Sequence, residues 1–207
     1  MRRLSALLFH LAITALLLPS TATAATVLKH DLDSLVRHSD AIVIASVANV
    51  EARRHDDGRV YTTVTLEVEE ILKGQQRETI TIRQVGGRDL EADIATVVPG
   101  MPQFEPQERV FLFLNEGSDA RPTVTGLSQG KFSIALGPDE STEFVIPRLS
   151  GLHLIADHRA IRGAPEPSLP PEELAERHHQ IFDQVHELSA FQRDVERIID
   201  LHHEVGQ

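Results

Sequence analysis

Cysteine and tryptophan are absent from the 207 residues, tyrosine occurs once and methionine twice. The lack of cysteine excludes disulfide staples, a thiolate nucleophile and Cys-ligated zinc or iron–sulfur sites. Eight phenylalanines and one tyrosine are the whole aromatic complement, 4% of the chain, too few for the stacked platforms that hold bases or sugars. Positive charge is also scarce. Lys+Arg number 20 against 31 Asp+Glu, a formal charge of −11, and no run of Lys or Arg is longer than two, which argues against a nucleic-acid partner. Length and the 41% hydrophobic share suit one acidic domain with a core of ordinary size.

One apolar run stands out. Residues 4–18 are interrupted only by Ser5, His10 and Thr14, follow Arg2 and Arg3, and lead through Pro19 to Ala22-Thr23-Ala24. The run is shorter than the roughly 20 residues a bilayer needs, and small-x-small is the pattern that signal peptidase cuts. The sequence therefore predicts a signal peptide over 1–24, with a mature chain starting at Ala25, exported to the periplasm or beyond and not inserted in a membrane. Cleavage removes two arginines, leaving 183 residues with a formal charge of −13.

The mature chain reads as mainly β. Asp31 or Asp33 caps a short helix carrying Leu32, Leu35 and Val36. A β-branched run from Ala41 ends at His55-Asp56-Asp57-Gly58, where a type I′ or related hairpin turn is expected. Beyond it, Val60, Thr62, Val64, Leu66 and Val68 alternate with Tyr61, Thr63, Thr65, Glu67 and Glu69, one face buried and one wet. Residues 79–85 form a third strand ending at Gly86-Gly87, and 94–98 a short one before a proline-rich loop over 99–106. The most apolar strand, RVFLFL over 109–114, is expected at the sheet centre, with Val110, Leu112 and Leu114 opposite Phe111 and Phe113. Residues 123–125 and 131–136 bracket a turn, and 143–146 make a last edge strand. With no helix long enough for a parallel crossover, an antiparallel β-barrel or sandwich is expected over 25–163. A Pro-rich linker covers 164–171. A C-terminal amphipathic helix or helix pair follows over 172–207, its stripe formed by Leu174, Ile181, Val185, Leu188, Val195 and Ile199, with Phe191, Ile198, Leu201 and Val205 off the stripe and a break near Ser189-Ala190.

Two patterns invite a chemical reading. Gly126-Leu127-Ser128-Gln129-Gly130 matches G-x-S-x-G, and Asp139, or Asp157 with His158, follows in hydrolase order. A nucleophile elbow needs a helix after its serine. Residues 131–136 read as a strand, so a glycine-flanked turn is expected and Ser128 is only a candidate nucleophile. Five of 11 histidines lie near the C-terminus, and Glu172, His179, Asp183 and His186 share one helix face at a spacing that divalent metals accept. That face lies opposite the apolar stripe and lacks a second element to close a coordination shell, so a solvated face is expected, with zinc or nickel binding as the alternative. Asp56-Asp57-Gly58 lacks the ligands of an EF-hand. No cofactor is implied.

Asp40-Ala41-Ile42-Val43, the strand 62–68, Leu72-Lys73-Gly74, Gly86-Gly87, Val98-Pro99-Gly100-Met101-Pro102-Gln103-Phe104, ERVFLFL over 108–114 and Gln129-Gly130-Lys131-Phe132 together resemble an uncharacterised group of secreted bacterial β-domain proteins. That group is similar in layout to the OB-like barrels of netrin modules and tissue inhibitors of metalloproteinases. The resemblance implies a binding or inhibitory role and no catalytic residue. Those inhibitors act through a disulfide-tethered N-terminal cysteine, which this chain lacks. The expectation is a non-catalytic, protein-binding module, with protease modulation as the role that the resemblance implies; the alternatives are a secreted hydrolase using Ser128 or histidine, and a metal-binding envelope protein.

Overall fold

A computed structural model describes residues 25–117, 121–149, 152–155, 182 and 184–205. The expected signal peptide, the linker over 164–171 and the start of the C-terminal segment lie outside these residues. Among the described residues, twelve strands and two α-helices follow one another: β1 (Ala25–Leu28), α1 (Leu32–His38), β2 (Ala41–Arg54), β3 (Val60–Lys73), β4 (Thr79–Val85), β5 (Gly87–Asp89), β6 (Ile94–Thr96), β7 (Arg109–Glu116), β8 (Pro122–Val124), β9 (Lys131–Leu136), β10 (Glu143–Pro147), β11 (Leu152–Ile155), β12 (His186–Glu187) and α2 (Leu188–Val205). A 3-10 turn over Leu127–Gly130 leads into β9. The chain is mainly β and built on an antiparallel sheet.

Eight strands form that sheet in the order β12-β10-β9-β7-β2-β3-β4, with β8 added alongside β7. Alternation in β7 explains why the sheet has two cores. Phe111 and Phe113 point to one face and Val110, Leu112 and Leu114 to the other, and all are buried. The aromatic face packs with Ile42, Ile44, Phe132 and Val145 under α1 and α2. The aliphatic face joins Val43, Ala45, Val47, Val64, Leu66, Ile80 and Ile82 on the other side. β2 and β3 carry register irregularities at Ile42/Val43, Ile44/Ala45 and Val47/Asn49, which bend the pair and raise its twist. The sheet thus curls until β4 and β8 are close neighbours. They do not pair: among the described residues the path ends at β12 and β4, and no sheet closes into the expected barrel.

Local chemistry sets the ends of elements. Asp31 caps α1, its carboxylate accepting the Ser34 N–H at 2.7 Å. Lys73 Nζ donates to the Val36 and Ser39 carbonyls at 2.8 and 2.7 Å, satisfying acceptors that the helix end leaves open. The β2–β3 turn has positive φ only at Gly58 (+81°), with His55 N–H on Arg59 O at 2.8 Å. It is therefore a three-residue loop with a glycine bulge, not type I′, which needs two residues at positive φ.

Three expectations are corrected. Residues 143–146 are not the last edge strand, because β11 and β12 follow. β1 and β11 pair in parallel, Ala25 with Leu152 through Leu28 with Ile155, as a separate two-stranded sheet, whereas only antiparallel pairing was expected. The helix does not run through residue 186: His186 and Glu187 are a strand pairing with Val145 and Phe144. The helical phase restarts at Leu188, so Leu188, Phe191, Val195 and Ile199 form the buried stripe, spaced by three and four residues as one helix face requires. Val185 is exposed instead. The helix docks on the sheet, and His202 Nε2 lies 2.9 Å from Asp33 Oδ1 on α1.

Candidate functional site

Ser128 lies in the 3-10 turn, where Gly126 and Leu127 both have positive φ (+65° and +61°) and β9, a strand, follows. Its side chain is 1% exposed. The Ser128 N–H donates to Gly100 O at 2.9 Å, and the hydroxyl has no hydrogen-bond partner among the described residues. Next to it, the buried Gln129 amide accepts the His30 N–H at 2.8 Å and donates to Leu28 O at 3.0 Å. A Cβ on Gly130 would meet Thr125 O at 2.3 Å, so the closing glycine is required by close backbone approach. The motif thus acts as a clamp joining the β1–α1 link to the loop over 99–106. Asp139 is committed to the β9–β10 turn, where hydrogen bonds from Thr142 and Ser141 hold its carboxyl well below the usual carboxylate range. Asp157 and His158 lie outside the described residues.

Because the buried Ser128 hydroxyl has no partner among the described residues, Ser128→Ala is expected to leave the melting temperature unchanged or raise it, by an amount equivalent to about 1 kcal/mol. A fall in melting temperature would show that the hydroxyl has a partner in solution.

Of the four metal candidates, Glu172, His179 and Asp183 lie outside the described residues. His186 sits on β12, its ring centroid 5.8 Å from that of Phe191. Among the described residues no group of three or more His, Asp or Glu is placed to hold a metal.

A recess lies elsewhere, at the mouth of the aliphatic core. Here β2 and β3 outrun the side chains that fill the concave face, leaving a cleft of about 620 Å³. Val50 and Ala52 of β2, Thr62 of β3 and Gln84 of β4 form its floor; the segment from Gly86 to Glu91 is one wall and Val97 to Phe104 the other. Gly86-Gly87 makes the first wall possible. Gly87 has φ +122°, and a Cβ there would lie 2.3 Å from Thr62 Oγ1, which itself donates to Gly86 O at 2.6 Å. Gln84 Nε2 donates to Pro102 O at 2.8 Å and ties down the second wall.

The charges around this cleft are used internally. Arg53 bridges Glu51 and Glu91 at 2.8 and 2.5 Å, and Arg88 faces Asp93 at 3.2 Å. Asp89 accepts the Arg54, Ala92 and Glu91 N–H groups at 2.8, 3.0 and 3.0 Å, and these donors hold its carboxyl below the usual carboxylate range. It stays ionised and fixes the β5–β6 hairpin. The rims, by contrast, are apolar and open: Leu90 is 78% and Val97 86% exposed.

Behind Phe104 lies a buried ion pair. Lys131 is 3% exposed; its Nζ donates to Glu108 Oε1 at 2.6 Å and sits 5.2 Å from the Phe104 ring centroid. The same carboxylate oxygen accepts the Ser133 hydroxyl at 2.6 Å. Burial pushes the Lys131 ammonium below the ordinary lysine value, against the raising effect of Glu108. This group braces the loop from inside.

The sequence flagged Gly86-Gly87 and the 98–104 loop only as turns and as part of a resemblance. What places them around one cleft is the curl of the sheet, a non-local property. Comparison with known proteins gives no match: no family model, no curated protein and no solved structure aligns with this chain.

Proposed function

We propose that this chain is a non-catalytic binding module, exported to the periplasm or beyond, whose cleft takes a segment of a protein partner. The observation that carries this reading is the cleft between Gly86–Glu91 and Val97–Phe104, with exposed Leu90 and Val97 on its rims and its charges already paired within the fold. Mouths of curled β-sheets are common binding sites, and apolar rims beside a floor of mixed polarity suit a peptide segment. We read the curled sheet as an OB-like barrel left open between β4 and β8; the proximity of those two strands supports that reading. The acidic balance of the chain favours a partner of opposite charge.

The test is co-purification from periplasm or culture medium with the wild-type chain and with a Leu90→Asp, Val97→Asp double variant. Both side chains are exposed, so the variant keeps its melting temperature. The wild type is expected to retain a protein that the variant loses. Equal retention by both, or none by the wild type, overturns the reading.

A further inference from the structure

We propose that the recess along the open seam between β4 and β8 is an oxyanion site that binds a phosphoryl group. The recess measures about 460 Å³ and shares no lining residue with the cleft. Alternation in β4 creates it: Ile80 and Ile82 turn into the aliphatic core, so Thr79, Thr81 and Arg83 turn outward. Thr63 stands opposite Arg83 in the register of β3. Arg77, from the turn before β4, and Arg121, at the entry to β8, also line it, with His55, Ile80 and Pro122.

Three arginines and three threonines therefore line one recess, and among the described residues no Asp or Glu lines it. In a chain with 31 acidic and 20 basic residues, such a concentration of one sign is contrary to the overall balance and favours an anion in the recess. Two of the arginines are held in place. Arg77 pairs with Glu116 at 2.5 Å. Arg83 donates from Nη2 to His55 Nε2 at 2.9 Å and lies 4.3 Å from the Tyr61 ring centroid. The third, Arg121, has no ion pair or hydrogen bond among the described residues.

Guanidinium forks match the oxygens of a phosphoryl group two at a time, and threonine hydroxyls donate to the remaining lone pairs. A carboxylate has two oxygens and one charge and needs only one such fork. The number of cations favours the dianion. β4 also ends the hydrogen-bonded path, so its outer edge offers backbone N–H groups toward the same seam.

The experiment is calorimetric titration of the full chain with inorganic phosphate and, separately, with phenyl phosphate, against sodium chloride at matched ionic strength. Arg121→Gln and Arg83→Gln are measured alongside. Saturable one-to-one binding is expected, weakened at least about tenfold in each variant, with ligand-free melting temperatures near that of the wild type. Binding of both ligands identifies a site open to phosphate esters; binding of inorganic phosphate alone identifies a site for the free ion. Either outcome supports the proposal. No heat beyond the chloride control, or equal affinity in wild type and Arg121→Gln, overturns it. The Leu90→Asp, Val97→Asp variant is expected to bind phosphate as the wild type does, so failure of the cleft reading and failure of this one are separable.

Discussion

Glu108→Ala is expected to destabilise the protein by about 3–5 kcal/mol, the scale for leaving one partner of a buried ion pair uncompensated. The Lys131 ammonium is 3% exposed and has Glu108 as its ion-pair partner, and the same truncation strands the Ser133 hydroxyl. For a chain of this size the loss corresponds to roughly 10 °C in melting temperature. Lys131→Met is expected to cost much less, because the carboxylate it leaves behind is 17% exposed and still accepts from Ser133. The Glu108→Gln, Lys131→Met double variant is expected near wild-type stability, since a well-filled apolar replacement of a buried pair is often neutral.

The sign with pH follows from the same burial. Lys131 in the folded state has a pKa below its ordinary 10.5, so the folded state sheds its proton first and stability rises with pH between the lowered value and 10.5. Glu108→Ala removes the one group that most raises that pKa. Its deficit against the wild type should therefore narrow as pH climbs through the alkaline range. Chemical denaturation of the three variants at two pH values measures all of this, and a Glu108→Ala deficit that is small, or constant with pH, would show that the ammonium reaches water.

Phe191→Ala is expected to cost a similar amount, about 3–5 kcal/mol, and to act through the attachment of α2. The Phe191 ring contacts three phenylalanine rings of the sheet, with centroids 5.1 Å from Phe111, 5.1 Å from Phe132 and 6.4 Å from Phe113, besides that of His186. Leu188, Val195 and Ile199 complete the buried stripe of the helix, but none of them supplies ring-to-ring contact. An 18-residue helix is marginal on its own in water, so loosening this anchor should expose the α2 amides first. Hydrogen exchange is expected to speed up across Leu188–Val205 more than across β2 and β7. Uniform acceleration through the whole molecule would mean that the helix is not a separable unit.

Much of the fold is legible locally because strand alternation and turn chemistry act over a few residues. The split of β7 into Phe111/Phe113 and Val110/Leu112/Leu114, the long β2–β3 hairpin and the Asp31 cap all follow from adjacent side chains. Phe191 was misplaced on the helical wheel for an equally physical reason. The expected stripe was centred with Leu174, Ile181 and Val185 included; in a helix that starts at Leu188, Phe191 lies three residues after Leu188 and four before Val195 and shares their buried face. The Ser128 motif was legible as a turn because a strand follows it, whereas its buried environment depends on residues about 100 positions away, His30 and Leu28, held by the neighbouring Gln129.

The candidate sites belong to the non-local part. Gly86-Gly87 and the 98–104 loop are ordinary turn sequences until the bends in β2 and β3 bring them to opposite sides of one recess. Arg77, Arg83 and Arg121 are isolated charges in the sequence and become a cluster only because the curled sheet sets β4 beside β8. By itself the sequence determined which segments extend, where they turn and which chemistries an absence of cysteine excludes, because those are properties of single side chains and their immediate neighbours. Tertiary structure alone decided where charge collects and where the surface stays concave, because both depend on strand register and sheet curvature summed over the whole chain.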